Sequence, residues 1–315
     1  MKLTKKLSMI SVAALFALAG CGGGTTSSPS VSPTGGGAAT EEQPAAAIVA
    51  AVAKDDAAAA LLPESYAQSG ALKVGTNLQF PPHNFYAADG KTPIGFEVDL
   101  SASIAKKLGL TASWQDSPFE NLITSLQANR VDMTIAAMND RPDRQEKIDF
   151  VNYFRTGIAI LVAKGNPDGI AAPEDLCGHT VGVGVGSSQE AWAEGLSGEC
   201  VAAGKEPIEV VPSNNDQQRL NSVKTGRQTA ELNDLANLVW IARTSGGGND
   251  FEVVDLPPLE AALYGIGVNK ENAGLRDAIA AALNSLIADG SYGKILDAWG
   301  VSSGAVDEAT INQGK

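Results

Sequence analysis

Basic residues are scarce in this chain: 23 Lys and Arg stand against 36 Asp and Glu, a formal net charge of −13 over 315 residues. A surface of that sign cannot neutralise a phosphate backbone, which excludes nucleic acid as a partner, and it does not favour lying on an anionic lipid face. Histidine occurs only twice, as His83 and His179, and neither stands beside a Ser or Cys nucleophile motif. Cysteine occurs three times, an odd number that cannot all pair. The greasy stretch from Leu7 to Ala19 is too short to cross a bilayer as a mature helix. No period of about 20 to 50 residues repeats, so solenoids and propellers are excluded. The glycine-rich run Gly182 to Gly186 lacks dinucleotide-fold spacing, because the third glycine is replaced by Ser187. What the chain does have is length and a hydrophobic content of 44%, enough for one large or two medium globular domains.

The start is informative. A basic stub (Met1 to Lys6), the short apolar run and the small residues before Cys21 read as a secretory signal. Leu18-Ala19-Gly20-Cys21 resembles the bacterial lipoprotein box. That resemblance implies a signal peptide over 1–20, removal of that peptide, and lipidation of Cys21 by acyl chains such as palmitate. It also implies residence at the cell membrane, lipid-anchored on the extracytoplasmic face. Cys177 and Cys200 then form an even pair in an oxidising compartment, where a disulfide is expected. The alternative, a metal site of Cys177, His179 and Cys200, lacks a fourth local ligand; no cofactor or metal is expected. Residues 21–60 are dominated by Gly, Ser, Thr, Pro and Ala and read as a flexible linker, with order beginning near Leu61.

From Lys73 onward strand and helix signals alternate. Leu72 to Gly75 reads as a strand. Asp99 reads as the cap of a helix carrying Leu100, Ile104 and Leu108 and stopped by Gly109. Thr111 to Trp114 is a strand, Leu122 to Leu126 a helix face, and Val131 to Met138 a buried parallel strand. Pro142 places Arg144 in a first helical turn. After the strand Gly157 to Ala163 a second series follows: strand Thr180 to Val185, a capping box from Ser187 to Glu190, strands at Glu209 to Val211, Thr229 to Leu232 and Phe251 to Val254, with a polar helix around Arg219 to Thr225. The strand Leu263 to Val268 and two closing helices return at the end. This βαβ rhythm implies an α/β fold with parallel strands.

Six segments together resemble the solute-binding proteins of polar amino-acid ABC importers, extracellular solute-binding family 3. They are Gly75-Thr76-Asn77-Leu78-Gln79-Phe80-Pro81-Pro82, Gly95 to Leu100, Phe119 to Ile123, Arg144 to Phe150, and Tyr264 to Val268 with Asp289-Gly290-Ser291-Tyr292-Gly293. The resemblance implies a two-lobed type II periplasmic-binding-protein fold, each lobe a central sheet flanked by helices. Lobe 1 is expected over 61–155 plus 263–305, lobe 2 over 156–262 and a C-terminal tail over 306–315. Hinge segments are expected near Tyr153 to Gly157 and Glu260 to Tyr264.

A free amino acid brings a carboxylate and an ammonium on one carbon, and a buried site must pair both. By resemblance Arg144 is the carboxylate clamp, helped by Ser187 and Ser188 at a helix start and by Ala137 and Asn139 at a strand end. Asp234 takes the ammonium, with a plain helix cap as its other reading. Phe80 and Phe119 form apolar walls. Asn77 stands where many relatives carry an acid, which favours an uncharged polar ligand; Glu120, Glu190 or Gln79 offer polarity instead. The implied partners are the amino-acid ligand, a permease with its ATPase, and the membrane through the anchor, with the protein a monomer. The implied role is capture and delivery without catalysis. The alternatives are a ligand sensor for a separate receptor, or a dehydratase-like enzyme on the same fold.

Overall fold

The computed structural model describes residues 43–315. The expected signal peptide, Cys21 and the linker as far as residue 42 lie outside the described residues. The strands are β1 (Ala71–Thr76), β2 (Gln79–Phe80), β3 (Asn84–Tyr86), β4 (Pro93–Ile94), β5 (Thr111–Asp116), β6 (Met133–Thr134), β7 (Asp149–Ala163), β8 (Thr180–Gly184), β9 (Glu209–Ser213), β10 (Ala230–Asp234), β11 (Phe251–Val253) and β12 (Leu259–Val268). The helices are α1 (Ala46–Ala51), α2 (Asp56–Ala59), α3 (Glu64–Ser69), α4 (Phe96–Lys107), α5 (Leu122–Gln127), α6 (Pro142–Gln145), α7 (Ser188–Ala202), α8 (Asp216–Lys224), α9 (Leu235–Thr244), α10 (Ala273–Ala288) and α11 (Ser291–Trp299).

Nine strands form one sheet in the order β5-β1-β6-β12-β7-β10-β8-β9, with β11 also on β7. The outer pairs β1–β5, β1–β6, β8–β9 and β8–β10 are parallel, as the alternation of strands and helices predicts. The long strands β7 and β12 are antiparallel to each other and run through both lobes. Successive β7 side chains alternate between the two faces of the sheet. Ile158, Ile160 and Val162 join one core with Val181 and Leu196 of the α7 side, whereas Ala159 and Leu161 join another with Leu220 and Leu238 of α8 and α9. In the first lobe Leu72, Ile104 and Leu283 pack under α4 and α10, and Leu122, Leu126 and Phe150 fill the other face. The apolar cores change along β7 between Phe154 and Ile158. On β12 the register shifts between Leu259 and Ala262, where Glu260 takes a φ of 48°.

Four segments differ from the reading of the sequence. The helix α4 begins at Phe96 rather than after Asp99, because Gly95 turns the chain at φ 129°, where a Cβ would stand 2.2 Å from the His83 carbonyl oxygen. Asp99 is therefore interior to the helix, and it accepts from Trp299 Nε1 at 2.8 Å. The strand expected over Val131 to Met138 keeps ladder geometry only at β6; Ala137 then turns to φ 48°.

The linker reading to residue 60 is corrected over 43–60. Ala45, Val52 and Ala58 are buried in the first-lobe core, and Lys106 Nζ donates to the carbonyls of Val49 and Ala50 at 2.8 Å each. Small alanine side chains let these short helices sit close to α4 and α10, which composition alone conceals. The last ten residues likewise do not hang free. Thr310 bonds Asn152, Asn312 accepts from the Phe150 amide and Gly314 donates to Asp140, so the segment lines the first-lobe half of β7.

Cys177 and Cys200 form the expected disulfide, joining the turn before β8 to the end of α7. With a sequence separation of 23, the chain-entropy account gives about 3 kcal/mol of stabilisation. Replacing both by Ser is expected to lower Tm by roughly 5–10 °C, given the scaling for a body of this size. Scanning calorimetry of the double variant checks this, and an unchanged Tm would show the loop to be held by packing alone.

Candidate functional site

The ends of β1, β6, β8, β9 and β10 converge on a cleft between the lobes with a volume of about 80 Å³. Of the residues expected to bind ligand, Asn77, Phe80, Phe119, Ala137, Ser187 and Asp234 line it. Asn77 follows β1 and Phe80 lies in β2. Phe119 opens a turn after Pro118. Ala137 presents its backbone because its N–H is drawn to Glu97 Oε1 at 2.9 Å.

Arg144, Asn139 and Ser188 stand around the cleft as bridges rather than as lining. Arg144 donates from Nη1 to the Asn139 carbonyl and from Nη2 to the Gly186 carbonyl, both at 2.9 Å, and its guanidinium lies 5.3 Å from the Phe119 ring centroid. Asn139 Nδ2 donates to Ser188 Oγ at 2.8 Å. The Arg144–Gly186 and Asn139–Ser188 bonds run from one lobe to the other, as does Asn214 Nδ2 to Glu120 Oε1 at 2.8 Å. Ser187 caps α7, its Oγ accepting from the Glu190 amide at 3.1 Å. Glu190 itself accepts from the Gly186 amide, and neither Glu190 nor Gln79 lines the cleft. Burial lowers the Arg144 pKa to about 9, so the group stays charged at neutral pH.

Asp234 occupies the N-cap position of α9, yet its side chain makes no cap hydrogen bond. The carboxyl is instead buried against the cleft, and Oδ1 has no hydrogen-bond partner among the described residues. Burial raises its pKa to about 7; Tyr264, Gln189, Thr156 and the charge of Arg144 oppose that rise without cancelling it. A buried carboxyl with a free oxygen in a cleft is an acceptor for a cation.

Three charged groups at the far end have no site role in the sequence reading: Arg219 and Asp216 line the cleft, and Glu231 is buried beside Arg219. Arg219, 3% exposed, donates from Nε to Glu231 Oε1 at 3.0 Å and from Nη2 to Asp216 Oδ1 at 2.7 Å, with a further bond to the Ser213 carbonyl. Burial raises the Glu231 pKa to about 7 despite Arg219. The fold supplies the reason: β10 is buried at every position, and an acid in such a strand needs a buried cation. Behind Ala137, Glu97 accepts from Tyr153 Oη at 2.5 Å and from Asn84, and burial pushes its pKa to about 8. His83 is held neutral at a pKa of about 3 by complete burial among Phe80, Phe96, Phe154 and Tyr264. Among the described residues no group of His, Cys, Asp and Glu could hold a metal ion.

Residues 72–302 match the family described as bacterial extracellular solute-binding proteins, family 3. The chain is 34% identical over 254 residues to the arginine-binding protein ArgT of Corynebacterium glutamicum, covering 80% of this chain and 82% of that protein. Its fold is similar to that of an ancestral arginine-binding protein bound to arginine, with TM-score 0.66 and 33% identity over 73% of this chain and 98% of the other. A second structural neighbour, at TM-score 0.67 and 26% identity over 75% and 98%, is an ancestral amino acid-binding protein that is a precursor of cyclohexadienyl dehydratase.

Proposed function

We propose, because this chain belongs to the bacterial extracellular solute-binding proteins, family 3, that its cleft captures a free amino acid and delivers it to a membrane permease driven by an ATPase. The observation that carries this reading is Asp234, a buried cleft carboxyl with an unpartnered oxygen. It takes the ammonium. Arg144, released from a backbone carbonyl, takes the carboxylate together with the N–H groups at the start of α7, and Phe80 and Phe119 exclude water above and below. Entry requires the lobes to part, breaking the Arg144–Gly186, Asn139–Ser188 and Asn214–Glu120 bonds, and capture re-forms a bridged cleft. The crossings at 155–157 and 260–262 are the hinge. A lipid on Cys21 holds the body beside its permease on the extracytoplasmic face.

The side-chain end of the cleft favours a cation. Asn77 alone points to an uncharged ligand, but Asp216 and Glu231 share the guanidinium of Arg219, and Glu120, bonded to the Asn214 amide, lines the same cleft without a cation among the described residues. The surplus of carboxyls suits an arginine-like side chain, and the arginine-binding relative supports the same class.

Isothermal titration calorimetry tests this. Arginine is expected to bind with a Kd near 1 µM, about −8 kcal/mol, and to be recovered chemically unchanged. Agmatine, which lacks the carboxylate, is expected to bind at least about 100-fold more weakly, given the loss of a buried charge pair. Failure of every common amino acid to bind, or conversion of the bound one, would overturn the reading.

A further inference from the structure

A second cavity, about 400 Å³, shares no lining residue with the cleft but abuts it. Leu235 and Ala236, which line it, directly follow Asp234, and Pro82 lies two residues after Phe80. Thr156, in its wall, also faces the Asp234 carboxyl. The remaining walls come from both crossing strands, from α9 and from the end of α11. Its size falls within the range of small-molecule sites.

The chemistry of the lining runs against that of the molecule. In a chain of net charge −13, the lining contains Arg155 and Arg243 and no Asp or Glu. Neither arginine has an ion-pair partner among the described residues. Trp240 stands beside Arg243, whose guanidinium lies 5.4 Å from its ring centroid, and the edge of the buried Trp299, 6.3 Å from Trp240, completes that wall. Two unpaired guanidinium groups in one lining, one of them against an indole ring, suit a ligand that is flat and apolar at one end and anionic at the other.

We propose that this cavity is a second ligand site, for a small aromatic anion. Its ring lies against Trp240 and the exposed edge of Trp299, and Arg155 and Arg243 take its carboxylate or sulfonate. Because both crossing strands contribute walls, an occupant there also bears on movement of the lobes. Nothing in this inference depends on which solute the main cleft holds.

Naphthalene sulfonate is the probe, titrated calorimetrically against the full chain, with naphthylmethylammonium as the charge-reversed control. The expected result is saturable one-to-one binding of the sulfonate, with the ammonium at least about tenfold weaker. The double variant Arg155→Gln/Arg243→Gln is expected to lose at least about tenfold in sulfonate affinity while melting as the unaltered protein does. Trp240→Leu, which leaves both arginines in place, is expected to weaken sulfonate and ammonium alike. Absence of sulfonate binding, equal affinity for the cation, or a double variant within about twofold of the unaltered protein would overturn the proposal.

Discussion

Asp234→Asn is expected to weaken amino-acid binding by about 100-fold or more, because breaking a buried charge pair costs roughly 3 kcal/mol or more. The same carboxyl makes binding depend on pH in a direction fixed by its environment. Burial raises its pKa to about 7, above the ordinary carboxylate value. Below that pH the unliganded site holds a proton that an incoming ammonium must displace. Affinity is therefore expected to be full above pH 8 and to fall as the solution is acidified through 7. The limiting slope approaches about tenfold per unit for one coupled proton.

The contribution of this group to the stability of the free protein runs the opposite way. A carboxyl whose folded pKa is raised favours the folded state more as it becomes protonated, so its unfavourable effect at pH 8 is relieved on going down through 7. The ligand-induced rise in Tm should accordingly shrink between pH 8 and pH 5. Glu231 titrates in the same range, and Glu97 near 8, so the control is the variant itself. Calorimetric titrations of Asp234→Asn should show a weak Kd with a much flatter pH profile. An unaltered Kd in that variant would move the ammonium site elsewhere, and an equally steep profile would assign the proton to another carboxyl.

Much of this arrangement is legible in the residues, and the exceptions have physical reasons. Alternating apolar runs and helix caps place β1, β5, α5, α7, β8 and α10 within a few residues, since each element's own pattern specifies it. The shortness of β6 is not legible, because Ala137 leaves the ladder under the pull of Glu97, a partner 40 residues away. The order of residues 43–60 is hidden by composition, since alanine serves equally in a loose tether and in a close-packed helix. Arg219 escapes notice because its meaning depends on Glu231 twelve residues later and on Asp216 one turn earlier. Each lies in an unremarkable polar context until the fold brings them together. The cleft residues on loop tips, Asn77, Phe119 and Ser187, were identifiable only from motif resemblance. Nothing in periodicity separates a wall of a cleft from a wall of a core.

Arg144 carries the other large expectation, and its geometry separates two roles. Two of its donors already hold the Asn139 and Gly186 carbonyls, so the group joins the lobes as well as offering charge to a carboxylate. If the clamp dominates, Arg144→Ala leaves a ligand carboxylate facing no cation, and affinity falls by about 100-fold or more. Arg144→Lys should then recover little, because an ammonium supplies charge without the planar fork that spans a carboxylate and a carbonyl at once. If the bridge dominates, the same variants weaken amino acid and carboxylate-free amine alike, because closure fails for both. Comparing arginine with agmatine across the two variants therefore distinguishes the roles. The clamp predicts that the preference for arginine over agmatine collapses in Arg144→Ala. A preference that survives while both affinities fall would assign Arg144 to joining the lobes and leave the carboxylate to the start of α7.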